Sequence, residues 1–230
     1  MIDLRPLIRK LIPLSIKRFI SRFGHSCNIE IFLHDLKNMN IPIKSCIDVG
    51  AADGDFSKIF ISMFKSKTII LIEPREEKIN ILRRDKIFNN ARILFELISE
   101  YEEEKYFAIK GNASSYYDVN DNDRIIRLTS KRLDSLLSIS DYQDSIIKID
   151  VQGAELDVLK SISDVNFKII TAFVIEATTL VLWNSQPVLF DIMKYLKQRD
   201  FYLYSVGHMH RNSQNIVIQI DLCFINSNKS

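Results

Sequence analysis

The sequence predicts an α/β fold built on a mostly parallel, seven-stranded, doubly wound sheet whose last strand runs antiparallel. Three observations predict it. Apolar runs rich in Ile, Val and Leu alternate with helical patterns, as in a parallel sheet covered on both faces. The run CIDVGAADGDFSKIF (46–60) breaks into glycines and aspartates before a helix resumes, as at a strand-to-helix turn. The last two apolar runs are joined only by HMHRNSQ (208–214), too short for a crossover helix, so they should be antiparallel neighbours.

Each element follows in order. Residues 1–42 read as a helical arm and residues 43–230 as one domain. Within the arm, LRPLIRKLIPLSIKRFISRFG sets Arg5, Arg9, Lys10, Lys17, Arg18 and Arg22 against a lone Asp3, with Pro6 suited to a helix start and Pro13 to a kink. Such a segment packs on the domain with its charges solvated, lies on an anionic membrane surface, or meets a partner. A strand over Ile43–Val49 leads into a helix from about Phe56 to Phe64. KTIILIEP is a second strand ended by Pro74, REEKINILRRDKIF a second helix, and ARILFELIS a third strand. From Glu100 to Asp144 the pattern loosens into a short strand (Tyr106–Ile109), a polar loop (GNASSYYDVNDND) and a brief helix (RLDSLLSIS). Order returns with SIIKIDVQGAELDVLKSI, a strand feeding a helix, and then the strand IITAFVIEATT. The helix QPVLFDIMKYLKQRD carries Pro187 in its first turn, and FYLYSVG and NIVIQIDLCFIN close the sheet.

Composition narrows the class. A chain of 230 residues with 47% hydrophobic and 26% charged residues can bury one sizeable core. The net charge of +2 gives no electrostatic footprint for nucleic acid, so none is expected as a partner. Cys27, Cys46 and Cys223 are scattered and form no metal-binding spacing, which suits buried thiols in a reducing cytosol. No signal peptide or membrane-spanning run is present, so a cytoplasmic protein is expected, with peripheral contact at the inner face of the membrane if the arm lies on lipid.

The first turn selects the ligand. A dinucleotide fingerprint needs G-x-G-x-x-G, whose middle glycine lets the backbone approach a pyrophosphate. Here Ala52 stands in that place, and Asp48, Asp53 and Asp55 make a poor phosphate cradle. They suit a ligand with a cationic end, such as the ammonium and sulfonium of S-adenosylmethionine. Glu73, ending the second strand, can accept hydrogen bonds from both ribose hydroxyls, a device that NAD enzymes share.

The segment IIKIDVQGAELDVLKSI resembles the K-I-D-V-E-G-A-E-x-x-V-L-x-G signature of the FkbM-type methyltransferases. IDVGAADGDFS, IEPREEKINIL, LISEYEEEKYF, SSYYD, RLDSLL and FVIEATT follow in the family's order, so the resemblance covers Ile43 to Ile225. Two positions depart from it: Gln152 stands where the family usually has Glu, and Ser161 where it often has Gly. The resemblance implies a Rossmann-like class I methyltransferase fold and methyl transfer from S-adenosylmethionine. The acceptor it implies is most often a hydroxyl of a sugar, surface glycan or other secondary metabolite. An NAD-linked dehydrogenase or epimerase, and a noncatalytic module that keeps the fold, are the competing classes.

Ligands of such sheets bind at the carboxyl ends of the parallel strands. The expected cofactor set is therefore Asp48, Gly50, Ala51, Asp53, Gly54, Asp55, Phe56, Glu73, Pro74, Ser99 and Asp150, and the expected catalytic set is Asp150, Glu176 and His208. Asp150 can hold the donor's ammonium, orient the acceptor, take its proton, or merely cap a helix. Glu176 can bind acceptor hydroxyls or form a structural ion pair. His208 and His210, placed in the last connection, can act as base. Lys148 suits pairing with an acid, and Glu155 suits the first turn of a helix. No metal is expected: His-x-His lacks a third ligand, and DVNDND lacks the Gly and closing Glu of a calcium loop.

Overall fold

A computed structural model of the protein describes residues 29–64, 67–110, 114–116, 124–181 and 186–229. Its main sheet is parallel through β3 (Arg92–Leu94), β2 (Thr68–Ile72), β1 (Ser45–Val49), β7 (Ser145–Ile149) and β8 (Ala172–Thr178). β10 (Val217–Asn226) then runs antiparallel to β8 and to the edge strand β9 (Phe201–Arg211). The order β3-β2-β1-β7-β8-β10-β9 has seven strands with the last in sequence reversed, as the apolar runs predict.

Strand alternation gives the sheet two cores. Ile47, Val49, Ile70, Ile72, Ile147 and Ile149 face one side. There they meet Val158 and Leu159 of α6 (Glu155–Lys160) and Ile192 and Leu196 of α8 (Leu189–Lys197). Cys46, Leu71, Ile146 and Val174 face the other side. They pack with Phe60 of α2 (Asp55–Met63), Leu82 of α3 (Glu76–Arg84), and Phe32, Leu33 and Leu36 of α1 (Ile29–Asn38). Because α1 fills this second core, the packed unit includes residues that the sequence reading assigns to the arm. Its basic stretch, residues 4–24, lies outside the described residues. Cys46 and Cys223 are buried thiols, and burial pushes the Cys46 thiol up.

Three expectations are corrected between β3 and β7. The run ARILFELIS is not one strand. It divides into β3 and β4 (Leu97–Ile98), and β4 joins a separate three-stranded sheet in the order β4-β6-β5. β5 (Glu104–Ile109) is the expected short strand, slightly extended. β6 (Arg124–Lys131) falls where no strand is expected, because RIIRLTSK mixes polar with apolar residues and is half exposed, without the apolar run of a central strand. The brief helix splits into α4 (Leu133–Leu136) and α5 (Ile139–Tyr142). α7 (Asp164–Phe167) completes the helices. No helix among the described residues is long and apolar enough to cross a membrane.

Candidate active site

The site is assembled where β1, β2, β7 and β8 end. Beyond β1 the chain turns sharply, and the N–H groups of Gly50 and Ala51 both donate to Ile72 O (2.9 and 3.1 Å). Gly50 has φ +79°, and a Cβ built there would lie 1.9 Å from the carbonyl oxygen of Asp150. Only glycine permits these two strand exits to touch. Gly54 (φ +74°) lies over the second core. A Cβ there would meet the Phe88 ring at 2.5 Å, so its absence makes room for packing under the turn.

Glu73 sits just past β2 and is 1% exposed. Its Oε2 accepts from Ala52 N (2.9 Å) and Arg75 Nη2 (3.1 Å). Its Oε1 accepts from Arg75 N (3.1 Å) and Arg75 Nε (2.6 Å). Burial works against the Arg75 charge, but the hydrogen bonds and charge of Glu73 outweigh it and raise its pKa. Beside Glu73 lies a small, largely apolar pocket, walled by Ile72, Pro74, Leu97, Ile98 and Phe107. Tyr116 closes one side. Its hydroxyl donates to Asp157 Oδ2 (2.6 Å), and the Lys105 ammonium lies 4.5 Å from its ring centre. The second sheet supplies Leu97, Ile98 and Phe107, so it roofs this pocket.

A wider, open cleft adjoins it, and Gly50, Arg75, Asp150 and Gln152 line both. In and beneath it, strand register groups four charged side chains. Asp48 lies opposite Lys148, and Glu176 lies opposite Asp221. Alternation puts Asp48, Lys148, Glu176 and Asp221 on the face shared with Cys46, Ile146, Val174 and Cys223. Lys148 Nζ reaches Asp150 Oδ2 (3.0 Å) and approaches Asp48 Oδ1 (3.9 Å). Burial opposes the Lys148 charge, yet Asp150 and Asp48 hold its pKa above the usual ammonium value. Burial would likewise raise Asp150, but Lys148 and the Gln152 amide prevail and lower it. Burial raises Asp48, the larger influence against the lowering effect of Lys148.

Glu176 is the opposite case. Burial, then the charges of Asp150 and of its cross-strand neighbour Asp221, push it well above the carboxylate range, so it keeps a proton at neutral pH. Gln152 Nε2 bridges Asp150 Oδ1 (2.9 Å) and Glu176 Oε2 (2.8 Å). Gln219 Nε2 donates to Glu176 Oε2 and to Gln152 Oε1 (both 3.1 Å). At Gln152 an amide therefore donates to two acids where a Glu would add a third. The Gln152–Gly153 turn takes φ +54° and +104°. Glu155, fully buried, accepts Gly153 N through Oε1 (2.9 Å), and burial pushes it up to about 7.

The other expected residues are placed as follows. Ala51, Asp53, Asp55 and Phe56 line the open cleft. Asp53 is paired with Lys78 (2.8 and 2.9 Å), and Asp55 points into solvent. Asp48 lies beneath the turn and accepts from Ser57 Oγ (2.7 Å), lining neither cavity. Ser99 belongs to the small sheet, where its N–H donates to Lys131 O (3.0 Å), and it too lines neither. His208 and His210 belong to β9, not to the connection. His210 lines the open cleft and has Nε2 3.4 Å from Glu176 Oε1. His208 stands behind it with ring centres 4.4 Å apart, and does not line the cleft. Arg75 and Gln219 escape sequence reasoning: one follows a strand as an ordinary helix-start residue, the other is a polar residue in an apolar strand. Among the described residues no cluster of His, Cys, Asp or Glu could hold a metal ion.

This sheet order, with a carboxylate at the end of β2 and a glycine turn facing β7, defines a Rossmann-like domain with a pocket at its switch point. Residues 48–203 match the model of the methyltransferase FkbM domain, and the chain belongs to that family. Among solved structures it is similar to TrmK of M. capricolum in complex with S-adenosylhomocysteine, at 10% identity and TM-score 0.50, covering 86% of this chain and 68% of that one. It is also similar to an rRNA methylase from Streptococcus thermophilus (11% identity, TM-score 0.49, 86% and 93% covered). A third is precorrin-6y C5,15-methyltransferase from Geobacter metallireducens (9%, TM-score 0.47, 86% and 87%). At such identities the likeness is one of fold. No curated protein matches the chain. The family makes the protein a methyltransferase with S-adenosylmethionine as cofactor, and the residues present fit that group. A buried carboxylate, Glu73, flanks a largely apolar slot where β1, β2 and β7 end.

Proposed function

We propose that the protein methylates a hydroxyl oxygen of a neutral sugar, in a glycan or glycolipid, or of a similar polyhydroxylated metabolite. The observation that carries this reading is the lining of the open cleft. Gln152, Gln219, His210 and the protonated Glu176 offer hydrogen bonds, while the cation beside them, Lys148, is already paired with Asp150. Such a surface suits hydroxyls better than phosphates, which call for unneutralised cations. It gives a nucleic-acid acceptor no support.

The cofactor, when bound, supplies an electrophilic methyl carbon and a sulfide that leaves with its bonding electron pair. The chain must then bring the acceptor oxygen to roughly 3–3.5 Å in line with that bond, so positioning supplies much of the rate. Asp150, kept ionised by Lys148, accepts a hydrogen bond from the acceptor and fixes its direction. A hydroxyl is a weak nucleophile and must lose its proton as the new bond forms. Glu176 already holds a proton, so this role falls to His210, whose imidazole lines the cleft against Glu176. The test is incubation with methyl-labelled cofactor and a panel of neutral glycosides, nucleotide sugars and total tRNA, with products located by mass spectrometry. Label on the oxygen of a neutral sugar is the expected result. Transfer to tRNA alone would contradict it.

A further inference from the structure

We infer that Arg75 is an internal competitor for the ribose-binding carboxylate: its guanidinium holds Glu73 as a ribose diol would, and the cofactor enters by displacing it. The inference rests on S-adenosylmethionine as cofactor and on the geometry around Glu73. An ionised carboxylate offers about four acceptor directions, two on each oxygen. In Glu73 all four are taken, and the donors divide into two kinds. Ala52 N and Arg75 N are backbone groups, one on each oxygen, and they aim the carboxylate. Arg75 Nε and Nη2 are side-chain groups, again one on each oxygen. A vicinal diol that places one hydroxyl on each oxygen needs the directions these two now use.

The backbone donors cannot leave. Ala52 is fixed in a left-handed turn whose neighbours Gly50 and Ala51 are tied to Ile72. The guanidinium can leave, because it ends a flexible stem and already lines both the apolar pocket and the open cleft. The pair it forms is strong, since both partners are buried: side chains 7% and 1% exposed. The cofactor's ribose must therefore replace a charged, bidentate contact, and its apparent affinity is reduced by the fraction of molecules in which Arg75 covers Glu73. The same contact re-forms behind the product and speeds its departure.

S-adenosylhomocysteine serves as the probe, with the full chain carrying Arg75→Ala, Arg75→Gln or Arg75→Lys, by calorimetry and by thermal unfolding. Without the probe, the Ala and Gln variants should unfold at lower temperature than wild type, because Glu73 loses its counter-charge. With it, they should bind at least about fivefold more tightly and gain more in unfolding temperature than wild type gains. Arg75→Lys keeps the charge but not the fork, and should fall between; it remains informative if the neutral variants fail to fold. Equal or weaker binding in the folded variants would overturn the inference. Failure of wild type itself to bind the probe would instead remove the cofactor assignment on which it rests.

Discussion

Glu73 and Glu176 stand at the carboxyl ends of parallel strands of one sheet, yet their surroundings oppose each other. Around Glu73 every close neighbour donates: two backbone N–H groups and a guanidinium. Around Glu176 the dominant neighbours are acids, Asp150 and Asp221, softened by two amides. The first carboxylate is thereby aimed and charge-paired, and the second becomes a donor itself. What separates the two acids is their surroundings, a turn and a guanidinium at one and neighbouring acids at the other, not the kind of acid.

The largest test of this contrast is the junction between the two sides. Gly50→Val places a side chain against the Asp150 carbonyl at a positive φ. It should cost about 4 kcal/mol or more in denaturant unfolding and abolish S-adenosylhomocysteine binding. Gly54→Ala, whose clash is with the movable Phe88 ring, should cost about 1–3 kcal/mol and spare binding in the folded fraction. Equal costs would mean that the two glycines serve one purpose.

A smaller effect sharpens the acceptor side. Glu155 has a folded pKa of about 7, raised by burial above its unfolded value near 4.5. Its contribution to stability is therefore complete below about pH 4.5 and is lost as pH rises through 7. Glu176, raised for similar reasons, extends the loss to higher pH. Glu155→Gln should flatten the decline between pH 5 and 8, a difference of up to about 3 kcal/mol at the alkaline end. Parallel wild-type and variant profiles would place the buried charge elsewhere.

Smaller still is the coupling between Asp150 and Glu176. Asp150→Asn removes the nearest negative charge, so the Glu176 carboxyl should titrate at lower pH in carbon-13 NMR, a change on the order of 1 kcal/mol. The least effect concerns the basic segment that precedes the described residues. Removing residues 2–22 should leave S-adenosylhomocysteine affinity unchanged while reducing sedimentation with anionic liposomes at low salt. Equal sedimentation would leave that segment a packing role only.

The donor side was largely legible in the sequence, because it is local. Gly50, Glu73 and the buried runs before them are neighbours in the chain, and continuous Ile, Val and Leu mark central parallel strands without ambiguity. The acceptor side was legible only in part. Asp150 and Glu176 stand out as acids at strand ends, but Gln219 and Asp221 enter through antiparallel register, which one strand's own pattern does not reveal. The polar HMHR reads as a connection, but His208 and His210 lie in β9, an edge strand, and edge strands admit polar residues. β6 escapes sequence reasoning for a related reason: its half-exposed residues form no apolar run. Arg75 left no signal, since a guanidinium folding back two residues onto Glu73 is a matter of side-chain direction.

The central claim is that Glu73 anchors the methyl donor's ribose. Its most direct measurement is calorimetric binding of S-adenosylhomocysteine and NAD to wild type and to Glu73→Gln. Wild type should bind S-adenosylhomocysteine with Kd of about 1 μM to tens of μM, near −8 to −6 kcal/mol, and show no binding of NAD. Glu73→Gln should weaken S-adenosylhomocysteine by about 1.5–3 kcal/mol through loss of charge-assisted hydrogen bonds. Undiminished affinity in Glu73→Gln, or NAD binding by wild type, would contradict it.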